Sequence, residues 1–299
     1  MNLCIIEDYS IDIDKSNKVV DRLRAIAETR FDNVSVIRNS GVIITTDEYS
    51  NIKVVDTDIL SKSDAILFWS KDLFLAHCLE SMGYKVYNKS SAICAADSKI
   101  ITSLLSKHGN ILVPKSVVLP FTYNEHKLAD AYYSMVVDYL GLPIIVKEEN
   151  GSFGMQVYKA DSIDELKEVL SALGNKNVLL QECIYESYGK DIRVNVVGNK
   201  VIGSMLRSNE NDFRANITLG ASAKPIKLNK EQERLAVTIK NIFDLDLCGI
   251  DFLLKGDELI FCEINSNPNF LSFEEVTGID YGAEVIDYII KDVGNKNGK

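Results

Sequence analysis

The chain has 299 residues, of which 46% are hydrophobic and 25% are charged, and its mean hydropathy is near zero. This composition is typical of a globular protein with two or three packed subdomains, and no apolar run approaches the roughly 20 residues of a membrane helix. The net charge of −10 argues against a nucleic-acid partner, which requires a basic surface, but it is compatible with a local basic pocket for phosphates.

The N-terminus and the cysteines both predict a cytoplasmic protein. The first residues, "MNLCIIEDYSIDID", become acidic without a basic leader, so they are not expected to form a signal peptide. No CxxC or Cys/His cluster occurs, which favours buried free thiols over a zinc or redox motif. The six cysteines are at positions 4, 78, 94, 183, 248 and 262.

Residues 1–90 are predicted to form an α/β domain with a doubly wound parallel sheet. Strand-like and helix-like segments alternate there, and this alternation favours parallel strands. In chain order the segments are the strand "NLCIIED", the helix "KSNKVVDRLRAIAETRF", the strands "SVIRNSGVIITT" and "DAILFWS", and "KDLFLAHCLESMGYKVYN", a helix that ends near Gly83 and is followed by a strand.

Two α+β subdomains are predicted to follow, over residues 91–185 and 186–292, with a flexible tail at 293–299. The first contains the helix "SAICAADSKIITSLLSKHG", a helix over 122–140, the strands "LPIIVKE" and "MQVYKA", the helix "SIDELKEVLSAL" and the strand "NVLLQECI". The second contains the hairpin "DIRVNVVGNKVIGSML", which turns at Gly198-Asn199, the helix "NKEQERLAVTIKNIF", the hairpin "GIDFLLKGDELIF" and a helix from about 280.

Polar residues stand at the open end of the second hairpin. A turn at Gly256-Asp257 brings Asp251 close to Glu263 and Asn265, which are two apart and therefore face the same way. Three oxygen donors without His or Cys suit Mg²⁺. From these residues alone, a magnesium site and a set of solvated strand ends are equally good interpretations.

Two lysines are candidates for phosphate binding, although no Walker-type loop and no GxGxxG motif is present. Lys147 ends a buried strand and precedes "NGSFGM", whose backbone N–H groups offer a phosphate cradle, though such a loop is more often a simple turn. Lys99 lies in the first turn of a helix, where a cation is unfavourable unless an anion is close. Most helix lysines are simply solvated.

Two further groups extend this pattern along the chain. The strand end at Gln181–Ile184 offers edge backbone groups, a carboxylate and an apolar side chain to an adenine ring, or it is simply a crossing strand. Arg193, Arg207 and Arg214 precede the predicted magnesium site, and phosphoryl transfer needs fixed positive charge.

The ordered set resembles the ATP-grasp superfamily, and more closely the RimK-type carboxylate–amine ligases. The resemblance covers about residues 60–290. It includes "GYKVYNKSSAICAADSK", "QECIYESYGKDIRVNVVG", "FRAN" and "CEINSNPNF". It implies an ATP-grasp fold, in which an N-terminal domain precedes two α+β subdomains that clamp the nucleotide.

The resemblance also implies a role for each candidate residue. The phosphates of ATP would contact Lys99 and Lys147 beneath the loop of Gly151, Ser152, Phe153 and Gly154. The remaining nucleotide contacts would come from Gln181, Glu182, Cys183, Ile184, Asp191 and Arg193. Mg²⁺, with Mn²⁺ as a substitute, would bind Asp251, Glu263 and Asn265. Catalytic contacts to the γ-phosphate and an acyl phosphate would come from Arg207, Arg214 and Asn216.

The implied activity is ATP-dependent joining of an amino acid such as glutamate to a small carboxylate or peptide acceptor, by a homodimer or homotetramer. After "FRAN" the chain has "ITLGAS", where many relatives have a basic residue or histidine before Gly-Gly. The acceptor is therefore not transferable, and no general base stands out. Two other interpretations are a peptide-modifying ligase that makes ester or amide cross-links and a non-catalytic nucleotide-binding regulator.

Overall fold

The computed structural model describes residues 1–9, 13–49, 51–55, 59–109, 111–152 and 154–297. The described strands form three main sheets and one separate hairpin. Two predicted features fall partly outside these residues, because the loop residue Phe153 and the last two residues of the predicted tail are not described. No described helix is both long enough and apolar enough to cross a membrane.

The first unit is the predicted α/β layer. Its sheet has the order β2-β1-β5-β6 with all pairs parallel, and alternate residues of β1 enter the two hydrophobic cores on its opposite faces. The segment "SVIRNSGVIITT" is divided, because its second half pairs in a separate hairpin. The elements are β1 (Asn2–Glu7), α1 (Ile13–Ala27), β2 (Asn33–Arg38), β3 (Ile43–Thr46), β4 (Ile52–Val55), β5 (Ala65–Trp69), α2 (Leu73–Ser81) and β6 (Val86–Tyr87).

The second unit is an antiparallel sheet covered on one face by two helices. Ile144 and Val146 pack against those helices, so Ile145 and Lys147 face the opposite side. The elements are α3 (Ser90–Asp97), α4 (Lys99–Leu105), β7 (Ser116–Val118), α5 (Asp130–Leu140), β8 (Ile144–Glu148), β9 (Val157–Ala160), α6 (Ile163–Leu173) and β10 (Val178–Glu182), and the strand order is β7-β10-β8-β9.

The third unit is a five-stranded antiparallel sheet of order β13-β12-β11-β14-β15. Both predicted hairpin turns are present, with Gly198 at φ +54° and Gly256 at φ +59°, a backbone region that favours glycine. The elements are β11 (Lys190–Val197), β12 (Lys200–Ser208), β13 (Ser222–Ile226), α7 (Lys230–Ile242), β14 (Leu247–Lys255), β15 (Glu258–Asn265), α8 (Leu271–Thr277) and α9 (Tyr281–Asn297).

The two faces of this third sheet differ. Val194, Ile250 and Phe252 pack in a core with α7 and with Ala92 and Ala96 of α3. The residues between them point to the other face, which is apolar at one end and polar at the other. At the apolar end, helices α8 and α9 cover Val197, Met205 and Leu247.

The C-terminal helix takes in residues 293–297 of the predicted tail. Val293 is only 7% exposed and belongs to the core beneath the N-terminal sheet, so burial continues beyond the predicted end of the domain. The predicted domain boundaries themselves stay predictions.

Candidate active site

An open cleft with about 790 Å³ of empty space lies between the middle sheet and the polar end of the third sheet. Because side chains alternate along a strand, β8 and β14 each present to it the residues that do not enter their cores. The predicted residues that line the cleft are Lys147, Gly154, Gln181, Glu182, Cys183, Ile184, Asp191, Arg207, Arg214, Asn216, Asp251 and Glu263. The described predicted residues outside this lining are Lys99, Gly151, Ser152, Arg193 and Asn265.

The two predicted phosphate lysines are both buried near one end of the cleft. Lys147 donates to Cys262 Sγ at 3.5 Å, and Lys99 donates to the Gly151 carbonyl at 3.1 Å. Burial lowers the pKa of Lys99, the carboxylate of Glu263 opposes that change, and the charge of Lys147 adds to it. Two neighbouring buried cations are unfavourable without an anion, so the arrangement suits a phosphate.

Helix α4 and the glycine-rich loop are tied together at Ser98. Its hydroxyl accepts from Ile101 N at 3.1 Å, which caps the helix, and donates to Glu149 Oε1 at 2.7 Å. Asn177 Nδ2 donates to the other oxygen of Glu149 at 2.8 Å, and Lys99 N donates to the Glu149 carbonyl at 3.0 Å. The position of Lys99 therefore depends on Glu149, which connects β8 to the loop.

The loop also contacts the "FRAN" segment of the third unit. Arg214 Nη1 donates to the Gly154 carbonyl at 2.7 Å. Gly154 has φ +74°, and a Cβ there would lie 2.7 Å from Asn216 Oδ1. On the other side of the loop, Ser152 N donates to the Gln156 side chain at 3.1 Å. Glycine at 154 allows the loop to approach the third sheet this closely.

Some of the groups predicted to bind adenine already form hydrogen bonds within the protein. Glu182 Oε1 accepts from Lys115 N at 2.8 Å, and Glu182 N donates to the Lys115 carbonyl at 3.0 Å. The carbonyl of Ile184 accepts from Ser187 N at 2.9 Å. Apolar lining comes from Ile145 and Leu253, one on each of the two facing sheets. The Glu182 side chain already holds the strand edge and is not free for a nucleotide.

Four buried charges form a network across three strands. Arg207 binds Asp191 through two bonds, of 2.6 and 2.7 Å, and its Nη2 also contacts Asp251 Oδ1 at 3.0 Å. Arg193 binds both oxygens of Asp251, with Nη2 2.8 Å from Oδ2. Burial raises the pKa of Asp251, but Arg193 and Arg207 outweigh it and hold that pKa below its ordinary value. Asp251 is therefore ionised at neutral pH.

Arg193 is the one member of this network that does not line the cleft. Its bonds to Asp251 orient the carboxylate, so its role in the structure is to position a predicted metal ligand. The nucleotide contact predicted for Arg193 stays a prediction.

The predicted magnesium ligands lie on the adjoining strands β14 and β15. Asp251 and Glu263 are cross-strand partners, and the register shift beyond Asp251 leaves Cys262 without a β14 partner. A carboxylate has about four acceptor positions, of which the arginines use three on Asp251, so one position on Oδ2 is left for a metal ion.

The donor set of this pair fits Mg²⁺. Among the described residues no three His, Cys, Asp or Glu side chains form a metal-binding group, and the predicted set instead adds the amide of Asn265 to two carboxylates. Asn265 Nδ2 is buried without a hydrogen-bond partner, and the residue lies just beyond the cleft lining. All-oxygen donors of this kind suit a hard cation.

Two residues that contact predicted site residues, Asp212 and Cys262, were not predicted from the sequence. Asp212 binds Arg214 through both oxygens, at 3.0 and 2.7 Å, and so fixes the arginine that contacts Gly154. The Asp-x-Arg spacing in "DFRAN" carried that signal. Cys262 contacts Lys147, but an isolated cysteine in an apolar strand offers no comparable signal.

Comparisons with known proteins bear on the family and fold of this chain. A family model described as the RimK-like ATP-grasp domain matches residues 95–289. An uncharacterized protein of Mycoplasma pneumoniae is 37% identical over 217 residues, or 71% of this chain and 75% of that protein. The probable alpha-L-glutamate ligase of Maridesulfovibrio salexigens is 34% identical over 71% of this chain and 69% of its own. Beta-citrylglutamate synthase B of Danio rerio is 34% identical over 73% of this chain and 54% of its own.

Solved structures show the same fold at low sequence identity. The ATP-grasp ligase PsnB, complexed with a minimal precursor, has a TM-score of 0.70 and 19% identity, with 97% of each chain covered. D-alanine–D-alanine ligase from Bacillus anthracis has a TM-score of 0.71 and 14% identity over 100% of this chain and 98% of that one. The fold and family predicted from the sequence are confirmed: the chain belongs to the RimK-like ATP-grasp family.

Proposed function

We propose that this protein is an ATP- and Mg²⁺-dependent ligase that joins a carboxylate to an amine through an acyl phosphate. One observation carries the proposal: buried Lys147 lines one end of a cleft, with buried Lys99 beside it, and Asp251, Glu263 and Arg207 line the same cleft from the facing sheet. Nucleotide phosphates and a hard cation are the chemistry that such a cleft accommodates. Family membership supports the same activity.

The charges in the cleft explain why ATP is needed. A substrate carboxylate is a poor electrophile at neutral pH, and its phosphorylation creates a good leaving group. The amine then attacks the acyl carbon, the C–O bond to phosphate breaks, and the products are an amide, ADP and inorganic phosphate. Bound Mg²⁺, held by Asp251, Glu263 and Asn265, would offset phosphate charge.

The chain's own residues contribute position and charge. Arg207 is fixed by Asp191 and Asp251, and Arg214 is fixed by Asp212, so both guanidinium groups are oriented before the substrate arrives. The loop that contains Gly154 lies at the end of the cleft where Lys147 is. It would exclude water from the acyl phosphate, which hydrolyses readily. No described residue is assigned as a general base.

The substrate proposal rests on the named relatives. One is an alpha-L-glutamate ligase and another makes beta-citrylglutamate, which supports glutamate as the amine and a small carboxylate as the acceptor. Mn²⁺ as a substitute metal, a dimer or tetramer, and a cytoplasmic location belong to the same proposal. Light scattering of the purified protein would measure the oligomeric state.

A product screen tests this function. The protein is incubated with ATP, Mg²⁺, pooled amino acids, carboxylate metabolites and cell extract, and the mixture is analysed by mass spectrometry beside Glu263→Ala. An adduct formed with loss of water and in step with ADP, and absent from the variant, is the expected result.

Two other outcomes separate the alternatives. ADP release that produces an adduct only when a precursor peptide is added would support a peptide-modifying ligase, for which the likeness to the PsnB fold is the reason to include peptides. Nucleotide binding without ADP release under any condition would support a regulatory protein.

A further inference from the structure

The chain that follows Asn265 leaves the third sheet and turns to the first unit. β15 is an edge strand and Asn265 is its last residue, so within the sheet Asn265 pairs only with Gly249 of β14. Asn267 Nδ2 then donates to the carbonyls of Phe68 and Ser70, at the end of β5, at 3.4 and 3.2 Å. Because a metal ligand has to be held in a fixed position, the contacts of the residues beyond this strand end bear on the site.

A side chain of the first unit lies where this pairing stops. Asn88, between β6 and α3, is only 1% exposed. Its Oδ1 accepts from Leu247 N at 3.1 Å, and its Nδ2 donates to the Leu247 carbonyl at 3.0 Å. Opposite residues in an antiparallel ladder exchange the same two bonds. Since Gly249 pairs with Asn265, the residue opposite Leu247 in a continued ladder would be Asn267. The amide of Asn88 therefore takes the ladder position of Asn267.

The same amide also binds the chain that has left the sheet. Its Nδ2 donates to the Ser266 carbonyl at 2.8 Å, and its Oδ1 accepts from Asp246 N at 2.7 Å. Both protons of the amide nitrogen and both acceptor positions of its oxygen are thus used. Ser266 follows Asn265 directly, so a side chain that fixes the Ser266 carbonyl also fixes the chain next to the predicted metal ligand.

A second side chain of the first unit contacts the same residue. Lys71 Nζ donates to Ser266 Oγ at 3.1 Å and also binds Asp97. Asp97 is the last residue of α3 and comes two residues before Lys99, a predicted phosphate ligand. The first unit therefore contacts the chain beside the metal ligand and the helix that precedes the phosphate lysine.

We propose that the first unit positions Asn265, with Asn88 as the positioning residue and Asn267 as a second attachment. Asn88 ends the pairing of β15 with β14 directly after Asn265 and holds Ser266 against the first unit. Asn267, released from the ladder, binds the end of β5. That Asn265 binds Mg²⁺ rests on the proposed function, whereas the way in which Asn265 is held does not.

Asn88→Asp tests the two bonds that the amide donates. The change keeps the size of the side chain and one acceptor oxygen, but it places a second oxygen against the carbonyls of Leu247 and Ser266. In crystal structures, Asn265 should be displaced from its wild-type position. Mg²⁺ titrated calorimetrically into ADP-saturated protein should bind about tenfold more weakly, as is usual when the outer support of a metal ligand is lost.

Tyr87→Phe is the matched control at the neighbouring position. The buried Tyr87 hydroxyl donates to Asp292 Oδ2 at 2.7 Å and so joins β6 to α9 rather than to Ser266. This variant should have a lower melting temperature and wild-type Mg²⁺ affinity. An Asn88→Asp protein that behaves in the same way, with a lower melting temperature and wild-type Mg²⁺ affinity, would overturn the proposal, because Asn88 would then only stabilise the fold.

Asn267→Ala keeps the test valid if Asn88→Asp does not fold. It leaves Asn88 in place and removes the two bonds to the carbonyls of Phe68 and Ser70. Mg²⁺ should bind severalfold more weakly with ADP, and wild-type affinity would overturn the proposal. Wild-type protein that binds no Mg²⁺ with ADP would instead refute the metal site of the proposed function. The crystal structures would then decide, since an Asn265 that stays in place in the variants would overturn the positioning and a displaced one would support it.

Discussion

Arg207 and Asp251 are joined by a 3.0 Å ion pair although a whole strand, β11, lies between theirs. Both side chains are almost completely buried. The arginine expected to face the transferred phosphate and the carboxylate expected to bind the metal therefore belong to one network. A change at either residue alters the position of the other.

Replacing Arg207 with lysine tests this coupling. A single ammonium group cannot reproduce the two bonds to Asp191 together with the contact to Asp251. We expect kcat for ADP formation to fall about 100-fold, the scale of losing one fixed donor to the reacting group. The free energy of unfolding in urea should fall by about 3 kcal/mol, because buried Asp191 loses its two-bond partner and Asp251 keeps only Arg193.

The exposed pair of Arg24, near the end of α1, and Glu28, just beyond it, supplies the control for that variant. Arg24→Lys should change the free energy of unfolding by less than about 0.5 kcal/mol and leave kcat unchanged. Wild-type kcat in Arg207→Lys would contradict the predicted role of Arg207 in phosphoryl transfer.

Asp212 is predicted to matter through Arg214 alone. In Asp212→Asn the guanidinium loses its charged partner and no longer has a fixed orientation toward Gly154. The pair is about a quarter exposed, so the free energy of unfolding should change by less than about 1 kcal/mol. The kcat for ADP formation should nevertheless fall about tenfold or more, since a misoriented charge stabilises the transition state poorly.

Kinetics at saturating ATP check the Asp212 prediction. Lys167 and Asp130 form an exposed pair far from the cleft, and Asp130→Asn should leave kcat at the wild-type value. An Asp212→Asn variant whose kcat equals that of this control would show that Arg214 needs no support from Asp212.

Local sequence patterns predict part of the fold well. The hairpin that ends in Asp251 and Glu263 follows from strand alternation and from Gly256, whose positive φ suits a tight turn. Local patterns fail where a residue far away in the chain determines where a helix begins or ends. The helix predicted over 91–109 breaks at Ser98, whose extended backbone is held by Glu149, and the helix predicted over 122–140 begins only at Asp130.

In the site too, some features follow from local sequence patterns and others depend on contacts between distant parts of the chain. Residue types and their order point to many of the side chains that line the cleft, because alternation on a strand fixes the face that each one occupies, but Arg193 and Asn265 lie outside that lining. They do not predict which groups the protein pairs internally. Glu182 binds the backbone of Lys115, and Arg193 binds Asp251, through contacts 67 and 58 residues apart in the chain. Such pairings depend on how the two sheets pack.

Ser98 should affect nucleotide binding beyond its contribution to stability. Ser98→Ala removes the cap of α4 and the bond to Glu149, so Lys99 loses its fixed position. We expect a loss of about 1 kcal/mol in the free energy of unfolding and a severalfold higher KM for ATP.

Ser162 provides a matched comparison because it caps α6 in the same way, away from the cleft, by accepting from Glu165 N at 3.2 Å. Ser162→Ala should lose about the same stability, about 1 kcal/mol, with an unchanged KM. Equal KM values for ATP in the two variants would show that Ser98 does not fix the position of Lys99.

Gly154 is the position where the loop and the third sheet meet most closely. Gly154→Ala should destabilise the protein by about 1 to 2 kcal/mol, because φ is +74° and an L-residue is strained there. It should also weaken ADP binding about tenfold, since the new Cβ would lie 2.7 Å from Asn216 Oδ1 and push the loop away from the phosphate end of the cleft. Calorimetric titration of ADP in the presence of Mg²⁺ measures this affinity.

Gly174 separates the two effects in that experiment. It has φ +65° at the end of α6, with no atom within 4 Å of an added Cβ, so Gly174→Ala carries the backbone strain without the clash. This variant should lose similar stability and keep wild-type ADP affinity. If both alanine variants bind ADP equally well, the contact between Gly154 and Asn216 does not set the position of the loop over the nucleotide.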